Sequence, residues 1–309
     1  MNTRVYTHVD CDGHRPGAHH PESPQRLVAV LEALRAPQFS SLEWCEAPLG
    51  TRRQVELVHD ADYIDAIAEA RPEHGLVSLD GGDTVMSPGS WQAVMRCVGA
   101  ACAGVDDVML GRADNVFCAT RPCGHHAEPD QAMGFCIFNQ AAIAAVHASR
   151  AYHLERVLVV DFDVHHGNGT QAAFTPLKGM YYASSHQSPL YPGTGAKSEK
   201  GHHGNILNLP LPPGCDSATF RQRIAADMLP ALRAWAPQLV IISAGFDAHR
   251  DDPLAGLNLV DDDFYWITRE LVQLAADSAE GRIVSILEGG YSAQGLAGGV
   301  TAHLRALME

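Results

Sequence analysis

The chain has 309 residues, 46% of them hydrophobic and 19% charged, which is enough apolar surface to close a large core and excludes a mainly disordered chain. With 22 Lys plus Arg against 36 Asp plus Glu, the formal net charge is −14; this repels a nucleic-acid backbone or an anionic lipid surface, and no basic patch offsets it. No apolar run approaches the roughly 18 residues of a membrane span, and MNTRVYTHVDCDGH lacks the hydrophobic stretch of a signal peptide, so the expected location is cytoplasmic, with no nucleic-acid or membrane partner.

Taken in chain order, PESPQRLVAVLEALR (21–35) reads as a helix entered through Pro21 and Pro24, and DADYIDAIAEA (60–70) as a second. SPGSWQAVMRCVGAACAGVDDVML (87–110) has apolar residues three and four apart and predicts a third. NVFCAT (115–120) is the first strand candidate, followed by the helix FNQAAIAAVHASRAY (138–152) and the strands RVLVVDFD (156–163) and MYYASS (180–185). SATFRQRIAADMLPALRAWA (217–236) predicts one helix, QLVIISAGFD (238–247) a strand, DDDFYWITRELVQLAADSA (261–279) a helix and RIVSILEGG (282–290) a strand. Short apolar runs alternating with amphipathic ones predict a mainly parallel sheet covered by helices. No repeat or Ser/Gly linker divides residues 1–309, so one α/β domain is expected. The eight cysteines contain no CxxC pair and read as buried thiols.

Polar residues gather where strand candidates end: Arg121 to His126, Asp161 to Asn168, Asp247 to Asp252 and Glu288 to Tyr291. Ligands of open parallel sheets bind beyond the carboxyl ends of the strands, so these four loops predict one site. In DFDVHHGNG, residues two apart in extended backbone share a side, so Asp163 and His165 can reach one ion. Asp247, at the end of another strand, can supply a third ligand. Two carboxylates and one imidazole with a vacant position suit hydrolytic zinc or ferrous iron, although Asp161 and Asp163 can equally cap the turn that follows the strand. The adjacent imidazoles of His125 and His126 suit acid/base work or ligation, with Asp161 and Asn168 as partners that fix their tautomers. In LEGGY, Gly289 and Gly290 permit a tight turn that exposes the Tyr291 hydroxyl as an oxyanion donor; a core tyrosine is the plainer alternative.

Together, HPESPQRL, RPCGHHAEPDQAMGFCIFN, VDFDVHHGNGTQ, YPGTG, SAGFDAHRDDPLAG and LEGGY resemble the histone deacetylase family, in particular its class II-like bacterial amidohydrolases and their acetylpolyamine amidohydrolase relatives. The resemblance covers most of the chain in the family's order. It implies the arginase-deacetylase fold, an eight-stranded parallel sheet flanked by helices, with one catalytic Zn2+ held by Asp163, His165 and Asp247. It also implies a catalytic set of His125 facing Asp161, His126 facing Asn168, and Tyr291. Phe135, with Gly134 beside it, and Tyr191 match the walls of an acyl-lysine tunnel, Tyr191 replacing the more usual Phe. Asp83 matches the loop aspartate that grips the substrate backbone, and Leu254 the rim position where polyamine-selective members can carry a glutamate. A structural K+ or Na+ is implied at Ser184 and the carbonyls of the segment holding Asp161, Asp163 and His165. Cys123 departs from the family's usual proline.

The expected activity is zinc-dependent removal of acyl groups from N-ε-acyl-lysine, a hydrolysis of linear amide C–N bonds, with acetylpolyamine as the alternative substrate. An arginase-type manganese ureohydrolase is disfavoured because Gly245 stands where a further carboxylate ligand is needed. A non-catalytic acyl-lysine binder is disfavoured by Tyr291 and His126. The acyl chain length, the physiological substrate and homo-oligomer formation are left open.

Overall fold

Blocks of Val, Ile and Leu make the central strands, which are buried on both faces as parallel strands between helix layers must be. The computed structural model describes residues 1–309. In chain order the strands are β1 (Thr3–Thr7), β2 (Glu43–Glu46), β3 (Val77–Ser78), β4 (Val85–Met86), β5 (Asn115–Cys118), β6 (Val157–Asp161), β7 (Met180–Gln187), β8 (Ile206–Leu211), β9 (Leu239–Ala244) and β10 (Ile283–Leu287). β3 and β4 form a small hairpin; the others build one sheet in the order β2-β1-β5-β10-β9-β6-β7-β8. Every pairing in that sheet is parallel, for example Asp161 opposite Ser184 and Ser243. This is the eight-stranded α/β architecture that the resemblance implies.

Alternate residues of the central strands feed opposite cores. Leu158, Val160, Val240 and Ile242 pack with Leu27, Phe264, Leu271 and Leu304 from the helices Pro24–Ala33, Asp261–Ser278 and Ala293–Met308. Val157, Val159, Ile241 and Val284 pack with Ala101, Val105 and Ala145 from Ser90–Met109 and Gln140–Tyr152. All five strands expected from the pattern are present, and β5, β10, β9 and β6 are adjacent at the centre of the sheet. The four polar loops therefore leave neighbouring strand ends. No helix is long and apolar enough to cross a membrane.

Four departures have physical reasons. β1 and β2 carry polar residues among their apolar ones, and the edge strand β2 is largely exposed. β8 contains Pro210, which is tolerated because β8 is the other edge and Pro there forfeits no central ladder bond. The expected single helix at 217–236 is two, Ser217–Arg223 and Leu229–Trp235, joined by a π-helical turn at Ile224–Met228. Pro230 cannot donate to the preceding turn, which widens to accommodate it. The glycine-rich helix Ala293–Met308 reads poorly from propensity, yet a Cβ on Gly299 would lie 2.6 Å from Phe246, so close packing of the helix onto the sheet requires glycine there.

Candidate active site

The chain bends directly after β6, where Asp163 N donates to Asp161 Oδ1 at 3.1 Å and His165 N to Asp163 Oδ1 at 2.9 Å; these turns bring Asp163 and His165 together, and the loop after β9 brings Asp247 to meet them. His165 Nδ1 lies 3.1 Å from Asp163 Oδ1 and 3.1 Å from Asp247 Oδ2, and ligand atoms of the three residues all fall within 4.8 Å of one another. The carboxylates are aimed by main-chain donors: Val164 N donates to Asp247 Oδ1 at 2.8 Å and Gly289 N to Asp163 Oδ2 at 2.8 Å. A Cβ on Gly245 would lie 2.1 Å from Asp163 Oδ2, and one on Gly289 2.2 Å from Asp247 Oδ2. These glycines therefore make room for the carboxylates, and position 245 has no space for any side chain.

Burial and the neighbouring Asp163 push Asp247 up, to about 7. Two fully buried carboxylates in one pocket call for a cation, and the O, O and N donor set fits a transition metal with a coordination position left for substrate or water. Burial opposes charge on His165, but its contacts with Asp163 and Asp247 outweigh burial and raise it to about 10.

His125 and His126 lie beside this triad, their ring centroids 4.0 Å apart, and different partners divide them. His125 Nδ1 meets Asp161 Oδ2 at 2.9 Å. Burial would lower His125, but the charges of Asp161 and Asp163 overrule it and hold it well above its ordinary value. His126 Nδ1 meets Asn168 Oδ1 at 2.8 Å. Burial, reinforced by His125 and His165, holds His126 well below its ordinary value. Asn168 Nδ2 donates to Glu128 Oε1 at 2.7 Å and to His126 O at 3.3 Å, which turns Oδ1 toward His126. The Nδ1 of His126 is thereby the donor, and Nε2 keeps its lone pair.

Tyr291 completes the group from the loop after β10. Its main-chain N donates to Asp252 Oδ2 at 2.7 Å, its ring lies 5.9 Å from that of Phe135, and the Arg26 guanidinium sits 4.9 Å over the ring. Burial raises the phenol well above its ordinary value, so it keeps its proton. A cavity of about 290 Å3 leads to these groups, lined by Asp83, Gly134, Phe135, Tyr191 and Leu254 together with Pro21, His126, His165, Leu190 and Tyr291. All five residues assigned to substrate contact thus line one cavity. Tyr191 is 45% exposed at its mouth, and a Cβ on Gly134 would lie 2.4 Å from His126 Cδ2, so glycine lets the wall approach the imidazole. Ser184 stands apart from this cavity: it pairs with Asp161 across the β6–β7 ladder, and its hydroxyl bonds His186 Nδ1 at 2.8 Å.

The site also contains residues that the motifs alone did not single out. Arg26 Nε donates to Gly290 O at 2.6 Å, and Glu22 pairs with both Arg26 and Arg121 in a buried network. Glu128 orients Asn168, Asp252 anchors the main chain of Tyr291 and Ser292, and His20 stacks edge-on against Phe135 at 4.7 Å. Several of these lie inside quoted motifs, HPESPQRL and RDDP among them, but their partners are distant in sequence.

The parallel sheet thus gathers an Asp-His-Asp cluster, a histidine pair and a tyrosine beside one cavity, an arrangement whose groups suit hydrolysis. Residues 20–307 match the histone deacetylase domain. The chain is 37% identical over 323 residues to "Histone deacetylase 14, chloroplastic" of Arabidopsis thaliana, covering 98% of this chain and 76% of that protein. It is 38% identical over 279 residues to a "Histone deacetylase-like amidohydrolase" of Pseudomonas aeruginosa, covering 89% and 72%. The crystal structure of the HDA15 HD domain superimposes with a TM-score of 0.93 at 33% identity, covering 99% of this chain and 88% of that one. The chain belongs to the histone deacetylase family.

Proposed function

We propose that residues 1–309 are one deacetylase domain that removes acetyl or related acyl groups from N-ε-acyl-lysine with one zinc ion held by Asp163, His165 and Asp247. The observation that carries this reading is the junction of that triad with His126 and Tyr291 at the inner end of one cavity. When bound, zinc supplies Lewis acidity at the scissile carbonyl and lowers the pKa of water. His126, neutral and with its Nε2 lone pair free, accepts the proton of the attacking water. The Tyr291 hydroxyl donates to the oxygen that gains charge, and because it is fixed beforehand no reorganisation is needed at that moment. His125, held charged by Asp161, supports proton delivery to the leaving amine. Phe135 and Tyr191 flank the acyl-lysine stem, and Asp83 at the mouth accepts from the substrate's main-chain N–H. A K+ or Na+ at the carbonyls of Asp161, Asp163 and His165 with the Ser184 hydroxyl would support the β6 loop.

A panel of acyl-lysine peptides and acylated polyamines, assayed with and without a chelator, tests this reading. Chelator-sensitive release of free lysine peptide supports it; hydrolysis that ignores the chelator contradicts it.

Two further expectations follow from particular contacts. Asn168→Asp should favour the imidazolium of His126 and move the acid limb of the kcat/KM profile to higher pH, because a base with a raised pKa becomes neutral only at higher pH. The new carboxylate would face Glu128, which now accepts from Asn168 at 2.7 Å, and one of the two acids would hold a proton. The shift should therefore be larger in the double variant Asn168→Asp with Glu128→Gln. An unchanged or lowered limb in both would remove His126 as the base or Asn168 as its partner.

The second expectation concerns substrate choice. Leu254 gives the rim an apolar face, and a polyamine's second ammonium would lose water there without a partner, a cost of roughly a few kcal/mol. Acyl-lysine peptides should be preferred over acetylated spermidine or putrescine, with Leu254→Glu shifting the kcat/KM ratio toward polyamines. Asp83 is the one carboxylate lining the cavity and is the feature that favours the polyamine alternative. A wild-type preference for acetylpolyamines that is lost in Asp83→Asn and unmoved by Leu254→Glu would select that alternative.

A further inference from the structure

Behind the cavity wall, Cys123 and Cys136 face each other with their sulfurs 3.4 Å apart. Both are buried, and both thiols point at the main-chain oxygen of Gly134, Cys136 at 3.3 Å and Cys123 at 3.9 Å. Because Gly134 lines the cavity, one residue separates the sulfurs from the tunnel. Cys123 belongs to the turn that carries His125 and His126, and Cys136 directly follows Gly134 and Phe135. The sulfurs therefore connect the loop of the histidine pair to the loop of the tunnel wall. Glu288 lies close enough to complete a three-ligand metal cluster with them. Its carboxylate is already committed to Gly124 N at 2.7 Å, His125 N at 3.2 Å and the Ser243 hydroxyl at 3.2 Å, so chemistry between the two sulfurs is favoured over metal binding.

We propose that Cys123 and Cys136 are an oxidisable dithiol, converted by a hydroperoxide into a disulfide that switches off the adjoining site. One sulfur attacks the peroxide, the O–O bond breaks, and a sulfenic acid and water form. The second thiol then displaces the sulfenic hydroxyl, forming the S–S bond and releasing a second water. Both sulfurs are oxidised, the peroxide is reduced, and the two thiol protons leave in water. Bond formation closes the sulfurs from 3.4 Å to about 2.05 Å. The wall has little slack for this, because Gly134 already packs so tightly on His126 that a Cβ would lie 2.4 Å from the ring. Drawing the two loops together displaces His126 or narrows the tunnel at Phe135, and a misplacement of about 1 Å near reacting groups can cost on the order of 100-fold. Burial pushes the Cys136 thiol well above its ordinary range, which keeps that thiol protonated and slows its reaction.

The test exposes the zinc-loaded protein to hydrogen peroxide, blocks remaining thiols, cleaves the chain at Asp130 between the two cysteines, and maps the peptides by mass before and after dithiothreitol. The expected result is one cross-linked peptide pair carrying Cys123 and Cys136, lighter by two hydrogens, with the hydrolysis rate lowered roughly tenfold or more and both changes reversed by the reductant. Under the same peroxide Cys123→Ala and Cys136→Ala should each keep within about twofold of their own untreated rate. Free or overoxidised thiols at both positions, a bond between other cysteines instead, a cross-link without loss of rate, or equal loss in the alanine variants would each overturn the proposal. The bond is read by mass, so its absence is distinguishable from a failure of the deacylase reading.

Discussion

Tyr291→Phe should lower kcat by roughly two orders of magnitude or more, the usual cost of removing one preorganised oxyanion donor, with fold and metal content unchanged. The ring's position is set by features that Phe retains: the main-chain bond to Asp252, the Arg26 guanidinium over its face and the Phe135 edge. The hydroxyl is therefore the only group removed. Because burial holds the phenol well above its ordinary value, the wild-type donor stays protonated and its contribution should not fade across the neutral range. His126→Ala should be at least as damaging. Steady-state kinetics on the best acyl-lysine peptide, with metal analysis of each variant, checks both, and a Tyr291→Phe rate close to wild type would contradict the assigned role.

The larger effect is expected at Asp247→Ala. Purified wild-type protein should carry about one transition-metal equivalent per chain, because Asp163, His165 and Asp247 are the one ligand set of this kind at the sheet edge and Gly245 leaves no room for another carboxylate. The variant should retain little metal and lose roughly three orders of magnitude or more in rate, equivalent to several kcal/mol of Lewis-acid stabilisation. Some stability should also be lost, since Asp247 accepts from Val164 N at 2.8 Å; thermal melting separates that from metal loss. Two tightly bound ions sharing these aspartates would instead indicate an arginase-type centre.

The strands most legible in the sequence were those buried on both faces: VLVV, LVII and IVSIL have few alternatives to a helix-covered parallel sheet. β1, β2 and β8 were not legible, because strands near an edge accept polar residues and Pro210 at no cost to a central ladder. The spacing of Asp163 and His165 in the sequence marked them as neighbours, but not through extended backbone: the chain bends there, and Asp161 and Asp163 also accept from the turn's main-chain N–H groups, while Asp247 stands just past a strand end as its position suggests. The supporting residues were hidden for a different reason. Arg26 meets Gly290 across 264 positions, and Asn168 meets Glu128 across 40, so no local spacing records either contact. The contact of Cys123 with Cys136 was equally invisible, since sequence showed a departure from proline at position 123 but not which thiol faced it. Helix 217–236 failed for a local reason, Pro230, whose missing N–H was legible but whose outcome as a π turn depends on the packing around it.

The measurement that tests the central claim most directly is hydrolysis of an acetyl-lysine peptide by metal-stripped protein before and after one equivalent of zinc is restored, with acetate and free lysine peptide both quantified. The account predicts negligible turnover without metal and, with it, acetate and free lysine in equal amounts at a rate that Tyr291→Phe and Asp247→Ala both suppress. Full turnover by the stripped protein, or zinc-loaded protein that binds the peptide without cleaving it, would contradict it.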